Sequence, residues 1–264
     1  MFQLVSGIIL ASLISYLSYR LRFLTQSGAF GSFFIGAVIF GLGGIKWVLP
    51  ILLFFFSSSF LSDLGRKTKL KYKDSFEKTG TRDIWQVFAN GSIAALMVLL
   101  HFFFPSSIWY LLYLTVLAAV TADTWGTEIG ILSKSQPLLI TTLRKVSPGR
   151  SGGITFLGSL SSFLGSLVLT SSGMIPYFPA YQMDLKTVFL ITLWGFFASI
   201  IDGLLGATIQ AQYLCPACNK ITERKNHCGD NETSLYSGIR WINNDLVNFL
   251  SSLFALCIIL TQGG

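Results

Sequence analysis

Charge is what this sequence holds least of. Only 12% of its 264 residues are Asp, Glu, Lys or Arg, about half the share found in soluble globular chains. That scarcity excludes an ordinary water-soluble domain. Cysteine is scarce as well, and four residues in 264 cannot form a disulfide scaffold. Disordered and collagenous classes fall with the same composition. The chain contains no GxxxxGK[ST] segment and no GxGxxG after a strand, so neither a P-loop nor a dinucleotide-binding turn is available. No internal repeat is evident. The first five residues carry no basic group ahead of the apolar run, which favours an uncleaved first span over a signal peptide.

What is present is apolar. Hydrophobic residues make up 52% of the chain, with 23 Phe and a mean hydropathy of +0.63. Runs long enough to cross a bilayer occur at about 2–19, 28–45, 47–62, 84–104, 107–125, 153–174, 186–210 and 245–262. The expectation is an all-α polytopic transmembrane bundle of about eight spans. It forms one integral membrane domain over 1–264, with a small Cys/His loop at about 211–243. Of the 19 basic residues, all but Lys46 and Lys186 fall on one side of this arrangement. Positive-inside bias therefore places the loops after spans one, three, five and seven in the cytoplasm and both termini outside. The net charge of +7 is a topology signal, and no nucleic-acid partner is expected.

Carboxylates are costly at membrane depth, roughly 3 kcal/mol on insertion, and so mark candidate function. Asp123 and Glu128 end span five, Asp202 lies within span seven, and Asp245 begins span eight. Asp63 and Asp83 sit at span ends, where helix capping or interfacial placement explains them equally well. Polar residues share helical faces near the same end: Asp83, Gln86 and Asn90; Trp241, Asn244, Asp245 and Asn248; and Gly195, Ser199, Asp202, Gly203, Gly206 and Gln210. Small residues of this kind also allow close helix packing in lipid. The segment Lys145–Gly153 reads KVSPGRSGG. Its glycines would turn amides toward an anion, Lys145 and Arg150 would add charge, and the start of span six would add free N–H groups. Cys215, Cys218, His227 and Cys228 form a plausible Cys₃His zinc set, with free cytosolic thiols as the alternative.

Several segments taken in order resemble a known family. Residues 80–91 (GTRDIWQVFANG), 121–130 (TADTWGTEIG), 139–142 (LITT), 148–153 (PGRSGG) and 241–245 (WINND) are similar to the integral membrane family that includes plant phytyl-phosphate kinase. The resemblance covers nearly the whole chain. It implies transfer of a nucleotide γ-phosphate, from CTP or ATP, to an isoprenoid monophosphate, and kinship with lipid cytidylyltransferases and polyprenol kinases. On that basis Asp123, Glu128, Asp202 and Asp245 would hold Mg²⁺. Arg82, Lys145, Arg150, Ser151 and the Gly152 and Gly153 amides would hold phosphates. Asn90, Asn244 and Asn248 would orient phosphate or metal-bound water. The expected partners are a prenyl-phosphate lipid, a nucleotide and the surrounding membrane lipids. The alternatives are a lipid-phosphate cytidylyltransferase or an ion- or anion-coupled transporter.

Overall fold

A computed structural model describes residues 1–72, 75–78, 80–175, 183–229 and 231–262. Eight helices form where eight spans are expected: α1 (Phe2–Arg20), α2 (Gln26–Val38), α3 (Ile45–Lys71), α4 (Ile84–Phe103), α5 (Ser107–Gly130), α6 (Phe156–Ser171), α7 (Leu185–Thr208) and α8 (Asn244–Gln262). A π-helical turn, Ile39–Gly43, extends α2. Among the described residues, α1 to α7, with their short extensions, are long and apolar enough to cross a membrane; the apolar stretch of α8, Asn244–Ile259, is shorter.

The centre of the bundle is α5. Every residue from Leu112 to Ala122 is buried, and the helix packs against α3, α4, α6, α7 and α8. A helix apolar on all sides belongs in the middle of a protein, surrounded by other helices. Glycines bring its neighbours close. A side chain on Gly126 would meet the Ser162 hydroxyl at 2.1 Å, and one on Gly195 would meet Ser166 at 2.4 Å. Lipid tails supply no hydrophobic drive between helices, so close contact of this kind is what holds α5, α6 and α7 together. Pro50 lies inside α3 and offers no N–H to the Lys46 carbonyl one turn earlier. The Tyr110 hydroxyl donates to that carbonyl at 3.4 Å, and Tyr113 donates to the Trp47 carbonyl at 2.5 Å.

Three sequence expectations shift at the helix ends. Span three was expected to stop near 62, yet α3 continues to Lys71 because charged residues sustain a helix after its apolar run has ended. Span six was expected to begin at 153. Instead β1 (Leu138–Leu139) pairs antiparallel with β2 (Gly153–Ile154), and α6 starts after Thr155, whose hydroxyl accepts the Gly158 N–H at 3.0 Å. Trp241 does not share a helical face with Asn244; it precedes α8 and is 73% exposed. The Cys/His loop at 211–243 is built on short strands. Strands β3 (Gln212–Leu214), β4 (Ile221–Thr222) and β7 (Ser234–Ser237) form a three-stranded sheet in the order β4-β3-β7, and β5 (Asn226–His227) pairs with β6 (Asn231–Glu232).

Candidate active site at the basic end of the bundle

The ends of α3, α5 and α7, the starts of α4 and α8, and the loops carrying most of the basic residues enclose one cavity of about 300 Å³. Asp123, Glu128, Asp202, Asp245, Arg82, Asn90, Arg150, Ser151, Gly152, Gly153, Asn244 and Asn248 all line it. Lys145 does not. It is exposed on the turn before Val146 and is absent from the cavity wall. The short β1–β2 pairing, extended by a bridge from Leu138 to Lys145, carries it outward.

The four carboxylates expected to act together fall into three groups. Glu128 accepts from Lys69 Nζ at 2.6 Å and from Ser62 Oγ at 2.6 Å, both through Oε1; its buried Oε2 has no protein partner. Asp245 is paired with Lys78, which also reaches Asp83 at 2.8 Å. Asp123 and Asp202 line the same cavity and interact directly with each other, and no ion pair to either carboxylate occurs among the described residues. Asp202 is held in place by Ser251 Oγ, which donates at 3.0 Å. With its amide nitrogen turned toward Asp202, Asn248 donates at 3.1 Å. Two carboxylates this close cannot both remain charged without a proton or a cation between them. This pair is therefore the part of the cavity best suited to a divalent ion, with Glu128 Oε2 as a further free oxygen nearby in the same wall.

Arg82 is fixed by its backbone. Its N–H donates to the Phe23 carbonyl and its carbonyl accepts from the Thr25 N–H, each at 3.0 Å. Among the described residues its guanidinium donates to two hydroxyls, Ser59 at 3.2 Å and Ser62 at 3.4 Å. Among the described residues it forms no ion pair. A guanidinium satisfied by hydroxyls keeps charge available for an anion. Asp83, next in sequence, caps α4 through a reciprocal capping box with Gln86. Burial would raise its pKa, but the Lys78 ammonium and the Gln86 N–H outweigh that and hold the carboxyl below its ordinary range. Asp83 is thus a helix cap. Asp63 makes only a 3.8 Å pair with Arg66 on the surface.

The turn at 148–153 docks against α7. A side chain on Gly152 would meet Ala207 Cβ at 2.4 Å and the Gly203 carbonyl at 2.8 Å. Arg150 lies 5.9 Å from the Tyr236 ring, and its buried Nε has no partner. The Gly153 N–H, expected to meet phosphate, donates to the Arg150 carbonyl at 3.0 Å, and Thr155 caps α6 two residues on. The Gly153 and Gly158 amides are thus already engaged, while Arg150, Ser151 and Gly152 remain in the cavity wall.

Sequence reasoning missed Lys69, Lys78 and Glu223. Lys69 and Lys78 stood among ordinary inside-positive residues, and only the unbroken helical register of α3 could have indicated that Lys69 reaches back to the membrane end. Glu223 carried no spacing signal. It accepts from Ser151 Oγ at 2.7 Å, Gln210 Nε2 at 2.8 Å and the Glu77 N–H at 3.1 Å. Burial raises its pKa, offset in part by these donors.

Behind Glu223 the ligand atoms of Cys215, Cys218, His227 and Cys228 lie within 4.8 Å of one another. His227 Nδ1 is 3.1 Å from Cys228 Sγ and 3.5 Å from Cys218 Sγ. Such spacing surrounds one tetrahedral ion with ligand bonds of about 2.0–2.3 Å. Burial opposes ionisation of Cys215, but the amides of Cys218 and Ala217 and the His227 ring outweigh it and bring the thiol down to about 6.

Comparison with known proteins fits this architecture. The chain is 30% identical to Protein PGR of Arabidopsis thaliana over 96% of its own length and 93% of that protein. It is 31% identical to an uncharacterized membrane protein of Methanocaldococcus jannaschii, over 79% of this chain and 84% of the other. An uncharacterized membrane protein of a Synechocystis strain is 27% identical over 73% and 74% respectively. No solved structure matches. Residues 9–256, nearly the whole chain, match the model of one family, and the chain belongs to that family, the integral membrane proteins DUF92.

Proposed function

We propose that this membrane protein transfers the γ-phosphoryl group of a nucleoside triphosphate to an isoprenoid monophosphate at the cytoplasmic face. The observation that carries this reading is the Asp123–Asp202 pair facing the same cavity as Arg82 and Arg150. Phosphoryl transfer between two anions requires charge neutralisation and alignment more than covalent protein chemistry. A Mg²⁺ held by Asp123 and Asp202 would supply Lewis acidity to the nucleotide phosphates. Arg82 would hold the lipid monophosphate from the α3–α4 side, and Arg150 the nucleotide from the glycine turn. A lipid phosphate oxygen then attacks the γ-phosphorus, the bond from that phosphorus to the β,γ-bridging oxygen breaks, and nucleoside diphosphate leaves. The attacking oxygen is already anionic, so no strong base is needed. Lys69 and Lys78 keep Glu128 and Asp245 neutralised within the same wall.

A lipid-phosphate cytidylyltransferase would use the same groups but attack the α-phosphorus. Purified protein in detergent with Mg²⁺ and prenyl monophosphates should incorporate label from γ-labelled nucleotide and none from α-labelled nucleotide. Label from the α position alone would overturn the kinase reading in favour of the transferase. A transporter is the weaker reading, because the polar groups gather at one end while the middle of α5 is sealed.

The Cys/His cluster is proposed to hold one structural zinc that pins the loop carrying Glu223. Zinc should copurify at about one per chain and be lost on Cys218→Ser, with faster proteolysis at residues 215–229. Metal-free protein of full stability would leave the four residues as thiols and an imidazole.

A further inference from the structure

A second cavity, of about 70 Å³, adjoins the first. It lies among α1, α2, α3 and α4, and its walls are apolar: Ile14, Ile35, Phe40, Leu52 and Phe55 among them. Arg82, Gln86 and Asn90 line both cavities. The polar chamber therefore continues into an apolar one at the guanidinium that has no carboxylate partner among the described residues. A further feature concerns its side wall. α1 packs on α2 and on the π-helical turn, and α3 packs on α5, but α3 makes little direct contact with α1 or α2 although all three line the chamber. On α1, Gly7 packs on the π-helical turn at Gly41 and Ala11 packs on Gly36 of α2, which leaves α3 apart.

We infer that this chamber receives the head-proximal end of a single-chain lipid monophosphate, with the phosphate at Arg82 and the rest of the chain leaving between α1 and α3 into the bilayer. The inference rests on the function proposed above, and it adds where the acceptor lies and what the protein can read of it. Size decides how much of the chain is inside. At about 10–15 Å³ per water on this measure, the chamber holds about five to seven waters, the bulk of one or two isoprene units. Two chains side by side do not fit. A tail moving from lipid to an apolar chamber gains little, since lipid is as apolar as the chamber wall. The chamber therefore positions the acceptor, and chain beyond the second unit remains in lipid. The protein should discriminate bulk near the phosphate and tolerate length.

The test is photo-cross-linking of the full-length protein in nanodiscs with a farnesyl-length monophosphate carrying a diazirine in its first isoprene-like unit. Cross-links are expected on Ile14, Ile35, Leu52 or Phe55. They should fall about tenfold in Ser32→Phe and in Leu52→Phe, which crowd opposite walls of the chamber. Geranyl and geranylgeranyl monophosphates should compete about equally, and excess diacyl phosphatidic acid should not compete. Cross-links confined to α5–α8, or phosphatidic acid competing on equal terms, would overturn the inference. Turnover of prenyl phosphate without cross-links in the chamber would overturn it too, while leaving the kinase reading intact. Cross-links in the chamber without turnover would support it and count against the kinase reading.

Discussion

Asp123→Asn should abolish most phosphoryl transfer while leaving the protein folded. The substitution keeps size and hydrogen-bonding capacity but removes a charge from the Asp123–Asp202 pair. If that pair holds Mg²⁺, the loss is several kcal/mol of transition-state stabilisation; at about 1.4 kcal/mol per tenfold, kcat should fall about a hundredfold or more. Asp202→Asn should behave alike, and the double variant should be little worse than either single one, because two ligands of one ion act as a unit. Stability points the other way. Removing one of two facing carboxylates relieves repulsion, so Tm should hold or rise. Asp63→Asn serves as the control, since that side chain is 67% exposed and paired only with Arg66; activity should stay near that of the unaltered protein. Were Asp123→Asn to lower Tm and retain full rate per folded molecule, the pair would be a packing device and the metal assignment would fall.

How far the sequence could foretell this arrangement depended on the length of the pattern. An apolar run of some 20 residues admits only a helix in lipid, so the eight helices were legible, α5 included. Ends were less so, because a helix stops for local reasons that hydropathy does not measure. α3 runs on through Lys69 because charged residues sustain a helix after its apolar run has ended, and α6 waits for Thr155 because the β1–β2 pairing claims Gly153 and Ile154. The small sheet at 212–237 was invisible for another reason. Its strands are two to four residues long, too short to show alternation.

The candidate site divided along the same line. Asp123, Asp202 and Arg82 stood out because charge is rare near apolar spans and so carries information. Lys78 stood in a run of cations, where one more conveys nothing, yet it is the side chain that joins Asp83 to Asp245. Which carboxylates keep a cation and which lack one follows from three-dimensional pairing alone. Lys145 and Arg150 looked equivalent on paper; the tight turn between them sends one outward and the other into the cavity.

That turn gives the other large effect. Gly152 has φ +77°, a conformation that costs a non-glycine residue about 1 kcal/mol or more. Its added methyl would also stand 2.4 Å from Ala207 Cβ and 2.8 Å from the Gly203 carbonyl. Backbone cannot yield as a side-chain tip does, so Gly152→Ala must lift the turn off α7, at a further cost of about 1–3 kcal/mol. Arg150 and Ser151 move with it, and Ser151 then loses its 2.7 Å bond to Glu223. The expected result is a lower Tm together with a tenfold or greater rise in the apparent KM for nucleotide. Adding Ala207→Gly removes the nearest clash but leaves the carbonyl and the backbone angle, so recovery should be partial. Gly80→Ala separates the two causes: its φ is +110° and no heavy atom lies within 4 Å of the added methyl, so only the backbone cost remains and KM should hold. Equal effects at Gly80 and Gly152 would show that the docking of this turn on α7 does not shape the nucleotide site.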